Sequence, residues 1–421
     1  MRISILTLGS RGDIQPALAL AETLASRSHH IRFITHPGFA HLAVGRNVEF
    51  LPLAAMKGEY EHLAKKKRYP LFEFRAAADM AKRYGLEWSR QFRTLAEGSD
   101  CLVGAGVCSF MVPTVGRHAK IPFFQAFFQP ILPTRSFSSV LLPSLPFALP
   151  GFANRLSHQI VNQLVWSFFR PTASESLREL WHEPAAPLLF QIDAARDPRC
   201  PTLMAFSRHV VPPPEDWGHS IEVTGYWFLD RQTGWQPPRD LADFIAAGPP
   251  PIYVGFGSMG SKNPAAITSL VLSAINKCGC RAIISSGWGN FTLSDAPSNI
   301  FRVDDLPHDW LFPRMASIVH HGGAGTTASA LRAGVPSVIV PFLADQPFWG
   351  HRLRQLGVAP RAIPHHKMNV NVLAQALDCT LNNKDMRAKA ADLGMLIAAE
   401  NGVKRAADLV EKAVDVASSS R

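Results

Sequence analysis

A short apolar run at 2–8, RISILTL, ends in the turn Gly9-Ser10-Arg11-Gly12-Asp13. It passes directly into a stretch whose apolar residues Ile14, Ala17, Leu18, Ala21 and Leu24 recur every three or four positions, and a second branched run, IRFITH, follows. Strand, turn, helix and strand in that order leave few options. Strands joined through a helix lie parallel, and a parallel sheet needs helices on its faces. Further strands are predicted at 48–53, 101–105 and 122–127, with helices at 72–97 and 153–182. After a proline-dense stretch, 212–240, the rhythm restarts. Strands are predicted at 252–257, 281–285, 300–303, 316–320 and 336–341, with a helix at 264–277 and a helical tail over 369–416. The expected fold class is α/β: two doubly wound Rossmann-like domains with a cleft between them. The expected divisions are 1–212, a linker at 213–240, 241–400, and a closing segment, 401–421, that returns to the first domain.

Composition narrows the class further. The 421 residues suffice for two or three domains, and 47% hydrophobic with 18% charged residues excludes disorder. No stretch of eighteen apolar residues lacks a charge or a proline, so no spanning helix is predicted. The first apolar run is too short for a signal peptide. The net charge is +10, densest at Lys65, Lys66, Lys67 and Arg68. Such a run suits an anionic surface or is simply a solvated helix face. No nucleic-acid motif or aromatic interleaving accompanies it. The six cysteines are scattered without paired CxxC spacing, so no metal site is predicted, and they read as reduced thiols of a cytoplasmic protein.

Four loops carry candidate chemistry. His320-His321-Gly322-Gly323-Ala324-Gly325-Thr326-Thr327 joins a strand to a helix. Glycines there admit close backbone approach, and the helix start offers unpaired N–H donors to a phosphate or pyrophosphate. A glycine turn serving only tight packing is the alternative. Gly255-Phe256-Gly257-Ser258 follows the first strand of the second half, where Ser258 offers a further donor. Asp345 and Gln346 follow a strand at the edge where α/β sheets bind ligands; they suit a ring bearing several hydroxyls, and Asp345 equally suits a helix N-cap. Asp13 stands at the matching edge of the first half, as a general base or as an N-cap.

Together GSRGDIQP (9–16), VTGYWFLD (223–230), YVGFGSM (253–259), LPHDWLFPRM (306–315) and HHGGAGTTASALRAGVPSVIVPFLADQPFWG (320–350) resemble glycosyltransferase family 1 of the GT-B fold. The likeness is to the branch holding sterol glucosyltransferases and bacterial antibiotic glycosyltransferases. It spans nearly the whole chain, although 55–200 carries little of it. The resemblance implies an inverting hexosyltransferase with an acceptor-binding first domain and a donor-binding second one. The donor is a nucleotide sugar, with UDP-glucose expected, and no metal or other cofactor is required. Asp13 would be the base. Ser258, His321, Gly323, Gly325 and Thr326 would hold the diphosphate, and Asp345 and Gln346 the sugar. Many plant relatives stack the base on a tryptophan before Pro-Gln; here the stretch is Asp304-Asp305-Leu306-Pro307-His308. Backbone groups near Val303 and Leu306 would read the nucleoside instead.

The acceptor is expected to be an apolar small molecule such as a sterol, terpenoid or macrolide. Phe124, Phe127, Phe128, Leu132 and Phe137 would line its pocket, unless they are ordinary core. Such an acceptor gives the basic run at 65–68 a role as a peripheral membrane contact. Two rival readings keep the fold and change the function: a nucleotide-sugar epimerase, and a non-catalytic partner of another glycosyltransferase.

Overall fold

The computed structural model describes residues 1–53, 70–142, 147–189, 200–257, 263–285 and 297–419, without the side chains of 70–77 and 418. The chain divides into two compact units, 1–229 with 400–421, and 230–399.

The first unit is built on a seven-stranded sheet. Its strands are β1 (Arg2–Leu8), β2 (His30–Thr35), β3 (Glu49–Pro52), β4 (Cys101–Gly106), β5 (Phe123–Phe127), β6 (Thr202–Met204) and β7 (Ile221–Val223). All neighbouring strands pair in parallel, in the order β3-β2-β1-β4-β5-β6-β7. The order reverses between β1 and β4, where Leu8 pairs with Gly106. Ligands of doubly wound sheets bind at the strand carboxyl ends of such a switch point.

Alternation sorts the core to two faces. Ile3 and Ile5 of β1 meet Ile14, Ala17, Leu18, Ala21 and Leu24 of α1 (Arg11–Ser26). Leu6 and Leu8 face the other side, with Trp88 and Phe92 of α2 (Pro70–Glu97) and Val112 and Val115 of α3 (Val112–Ala119). The long α4 (Gly151–Trp181) runs parallel to α2, shown by Ser89 Oγ donating to Ser176 Oγ and Arg93 reaching the Leu180 carbonyl. The stretch 213–240 is not simply a linker, since it carries β7, and the division falls after Leu229.

The second unit begins with α5 (Arg239–Ala246) and repeats the plan with five strands in the order β10-β9-β8-β11-β12. They are β8 (Ile252–Gly255), β9 (Ala282–Ser285), β10 (Ile300–Val303), β11 (Ser317–His320) and β12 (Ser337–Ile339). The helices are α6 (Pro264–Cys278), α7 (Ala324–Arg332), α8 (Gln346–Gln355), α9 (Val370–Asn382) and α10 (Lys384–Ala399). The switch point lies between β8 and β11, where Gly255 pairs with His320.

The tail is three helices rather than one. It breaks at Asn383 and again at Glu400-Asn401, where Asn401 has φ +50°. The last helix, α11 (Gly402–Ser419), belongs to the first unit. Its Ala406, Ala407, Val410, Ala413 and Val414 join the α1 face of the core. Arg27 donates to Asp408 at 2.7 Å and to Glu411 at 2.6 Å. The helix starts in tight quarters, because a Cβ on Gly402 would stand 2.6 Å from the Tyr226 carbonyl oxygen. Backbone there cannot swing aside as a side-chain tip can. Gly402→Ala is therefore expected to cost about 1–3 kcal/mol. Thermal denaturation checks this; an unchanged melting temperature would mean that α11 docks without that approach.

Among the described residues no helix is long and apolar enough to cross a membrane. The six cysteines form no disulfides; Cys101 and Cys108 are buried, and the other four are half-buried rather than core.

Candidate active site

At the switch point of the first sheet, the helix N-cap is Ser10 and Asp13 is the third helical residue, so Asp13 is not the N-cap. Its carboxylate reaches back: Oδ2 accepts from the Ser10 N–H at 2.8 Å and from the Ser10 hydroxyl at 3.0 Å. This is the return half of a capping box. Two glycines wall the carboxylate. Gly9 has φ +151°, and a Cβ there would collide with Oδ2. Gly106 has φ +58°, and its Cβ would lie 3.4 Å from Oδ1. Oδ1 thus accepts no hydrogen bond from the described residues while Oδ2 is fixed. Burial pushes the Asp13 carboxyl above the ordinary carboxylate range, against the lowering effect of the Ser10 bonds. The neighbouring Cys108 thiol is pushed up to about 12, by burial first and then by the Asp13 charge. It stays a thiol at neutral pH.

The second sheet carries its site at the equivalent place. His321 follows β11, and its ring lies between Gly257 and Gly323. A Cβ on Gly257 would come within 3.3 Å of the ring, and one on Gly323 would overlap it. Gly322, at φ +89°, makes the turn, and a Cβ there would meet Ile339 at 2.7 Å. Gly323 caps α7, and Thr327 N–H is the first to bond back, to the Gly323 carbonyl at 2.9 Å. The amides of Ala324, Gly325 and Thr326 precede that bond and lie at the positive end of the helix. Thr326 is half-exposed, whereas Thr327 is fully buried with its hydroxyl unbonded.

Burial drives the His321 pKa down to about 4. At neutral pH the ring is therefore an uncharged hydrogen-bond donor, not the cation that a histidine in a phosphate loop could have been. His320 is shifted well down too, by burial first and then by His321 and His308. Its Nδ1 accepts from Gly322 N–H at 3.1 Å, which leaves the ring proton on Nε2. The unfolded chain, with histidines near 6.5, binds protons that the folded unit refuses. Stability is fully present above about pH 6.5. It is lost as pH falls toward 4, the folded value of His321. The melting temperature is expected to drop between pH 7 and 4.5, less so in His321→Gln; identical profiles for both proteins would contradict the burial.

Asp345 holds the N-cap position of α8 but caps nothing. Its Oδ2 accepts from the Trp349 indole at 2.7 Å instead. Gln346 Oε1 accepts from the N–H groups of Phe342 and Leu343 at 2.8 and 3.1 Å. One oxygen of each side chain thus frames the loop, which passes through Ala344 at φ +54°. Val303 and Leu306 turn their side chains into the core beside Trp310 and Phe312, leaving backbone for any ligand. Ser258, and Lys65, Lys66, Lys67 and Arg68, lie outside the described residues.

The aromatic run is largely buried. Phe124 and Phe128 point to the α1 face of the sheet and belong to the core there. Phe127 and Leu132 are 1% exposed, and only Phe137 is half-buried. Phe124, on β5, and Phe128, just after it, thus pack into the core on that face. Residues that sequence reading missed are the supports: Ser10 and Gly106 around Asp13, Gly257 against His321, and Trp349 under Asp345. Ser10 and Asp13 do carry a legible signal, Ser-x-x-Asp before an apolar helix. Among the described residues no group of three His, Cys, Asp or Glu side chains is arranged to hold a metal.

Comparison with known proteins finds relatives over nearly the whole chain. Residues 3–135 match the glycosyltransferase family 28 N-terminal domain, and residues 272–411 the C-terminal domain of erythromycin biosynthesis protein CIII-like proteins. The chain is 33% identical over 436 residues to sterol 3-beta-glucosyltransferase UGT80B1 of Arabidopsis thaliana, covering 97% of this chain and 67% of that protein. It is 32% identical over 419 residues to UGT80A2 of the same plant, covering 96% and 64%. A sterol 3-beta-glucosyltransferase of Leptosphaeria maculans is 32% identical over 434 residues, covering 100% of this chain and 29% of that protein. The chain thus spans about two thirds of the plant relatives and under a third of the fungal one. Among solved structures, the glycotransferase of kitacinnamycin superposes with a TM-score of 0.71 at 19% identity, over 98% of both chains. Glycosyltransferase VinC in complex with dTDP gives 0.67 at 17%, over 98% and 99%. These likenesses place the fold as GT-B.

Proposed function

The chain belongs to the glycosyltransferase family that includes the sterol 3-beta-glucosyltransferases, and from that premise we propose that it moves glucose from UDP-glucose to a hydroxyl of an apolar acceptor, with inversion at the anomeric carbon. The observation that carries the proposal is the Asp13 carboxylate, with Oδ2 fixed by Ser10 and no described residue bonded to Oδ1. A base needs that asymmetry: one oxygen for orientation, one for the proton.

In the proposed reaction the acceptor hydroxyl gives its proton to Asp13 Oδ1. The acceptor oxygen forms the new bond to the anomeric carbon, and the bond from that carbon to the diphosphate oxygen breaks. The charge that develops on the leaving diphosphate meets the neutral His321 ring and the amides at the start of α7, with Ser258 as a further donor. Preorganised donors of this kind replace the positive charge of a metal. Asp345 and Gln346 hold the sugar hydroxyls. Backbone near Val303 and Leu306 reads the base, which supports UDP less firmly than a stacked aromatic would. The sterol 3-beta-glucosyltransferase activity of the relatives and the dTDP held by VinC support a nucleotide-sugar donor. A reducing, cytoplasmic setting also belongs to the proposal, supported by six cysteines scattered without paired CxxC spacing.

The test is incubation with UDP-glucose and a panel of sterols, terpenoids and macrolides, with the product's anomeric configuration read by NMR. A β-glycoside from the α-linked donor is the expected product. A retained configuration, or glucosylation of none of the panel while other acceptor classes react, would overturn the mechanism or the acceptor class respectively. Peripheral contact through Lys65 to Arg68 also belongs to the proposal. Neutralising all four is expected to reduce salt-sensitive binding to anionic vesicles, and unchanged binding would remove the run from the account.

A further inference from the structure

The first half of α4 is inside out. Beside Val161, 8% exposed, its inward face buries two polar residues, Asn154 and His158, 6% and 0% exposed. These are not core packing but clamps on the loop before the helix. Asn154 donates to the Arg135 carbonyl at 2.9 Å, Ser157 accepts from Ser139 N–H at 2.8 Å, and the His158 ring meets the Phe137 carbonyl at 3.1 Å. The outward face carries Phe152, Leu156, Ile160 and Leu164, at 73, 48, 60 and 49% exposure. They recur every fourth residue, so they form one stripe about 18 Å long. Beside Gln163, whose amide donates to the Leu188 carbonyl, Leu188 and Leu189 extend the apolar surface at 70 and 68% exposure. Single exposed apolar residues need no explanation, but a continuous stripe does.

The charge around the stripe says what covers it. From residue 101 to 174 the sequence holds no Asp or Glu, and near the stripe stand Arg135, whose carbonyl accepts from Asn154, Arg155, and Arg170, which donates to the Ala186 and Pro187 carbonyls. Arg155 stands on the stripe itself, exposed between Phe152 and Leu156. Asp216, which Arg155 reaches electrostatically, is already engaged by the Thr134 hydroxyl and Arg135 N–H. A second copy laid on this face would set cation against cation with no acid of the stretch to pair it. An anionic bilayer offers both what the stripe lacks and what it excludes: acyl chains for the apolar residues and headgroup phosphates for the arginines.

We propose that the first unit docks on an anionic lipid surface through this face of α4, the helix lying in the interface plane with Arg155 at headgroup level. The proposal uses residues other than the basic run at 65–68 and is independent of the transfer reaction.

Flotation of the full chain with phosphatidylcholine vesicles, with and without phosphatidylglycerol, tests it in the absence of donor and acceptor. Wild type is expected to float with the anionic vesicles. Phe152→Gln combined with Ile160→Gln is expected to lower the bound fraction at least about tenfold, since two large apolar anchors are lost. A control pair on α10, Met395→Gln with Leu396→Gln, replaces residues 66 and 49% exposed and is expected to leave flotation unchanged. Unchanged melting temperatures show that all three proteins are folded. Three results would overturn the proposal: a wild type that does not float, an α4 pair that floats as well as wild type, or a wild-type dimer that the α4 pair converts to monomer. None of them bears on sugar transfer, so the docking surface and the reaction fail separately.

Discussion

Replacing Asp13 by Asn or Ala is expected to lower kcat by about 10²–10⁴, the usual scale for losing a general base, while donor affinity is kept. The structure makes the expectation specific. Oδ1 is the oxygen left for the acceptor proton, because Ser10 holds Oδ2. Burial raises the carboxyl pKa, which makes the group a better base than a solvated aspartate and moves the acid limb of the rate profile upward. Activity should rise with pH through that limb. The stability sign is opposite. A carboxyl raised on folding contributes stability below its unfolded value near 3.9, and this is lost as pH rises through the folded value. At neutral pH the ionised Asp13 is therefore a net burden on the fold. Asp13→Asn should melt higher than wild type at neutral pH while turning over far more slowly. Full turnover in Asp13→Asn would discard the residue as base; a lower melting temperature would mean that the charged bonds to Ser10 outweigh the cost of burial.

The second large effect is on the donor. His321→Ala is expected to weaken UDP-sugar binding by about 10–100-fold, the loss of one hydrogen bond to a charged phosphate at about 1.5–3 kcal/mol. Because the free ring titrates near 4, its contribution is that of a neutral donor. His321→Gln, which keeps an N–H donor, should recover part of the affinity, and His321→Lys should not. Calorimetry with a non-hydrolysed UDP-sugar analogue separates these variants. Equal affinity in His321→Ala and wild type would leave the amides of α7 as the whole diphosphate site.

The elements that could be read from the sequence are those whose periodicity runs long. RISILTL and the α1 pattern set β1, the turn and the helix that carries Asp13. The paired histidines and glycines after β11 located the second switch point for the same reason. β6 and β7 are three residues long and, unlike the equally short β12 inside the branched run PSVIVP, lie in no continuous β-branched run, so the sequence shows 213–240 as a linker alone. The Phe-rich segment misled differently. In PFFQAFF both faces of the strand are aromatic, so alternation assigns neither, and only the packed sheet shows Phe124 and Phe128 in the core. The stripe on α4 was hidden by its own apolar periodicity, which looks like a core-facing helix until the buried side proves polar. Charge state is not legible at all from residue type. Nothing in His-His-Gly-Gly says that the ring is neutral; the close approach of Gly257 and Gly323 does.

The central claim is coupled transfer: a donor held by the second unit is cleaved only when an apolar hydroxyl is there to receive the sugar. Nucleoside diphosphate release from UDP- and dTDP-sugars, measured with and without a mixed set of sterols, diterpenes, macrolides and flavonoids, tests it most directly. The account predicts release that depends on an acceptor and is fastest with UDP-glucose. Conversion of the donor with no acceptor present would instead support an epimerase, and donor binding without release in any mixture would support a non-catalytic partner.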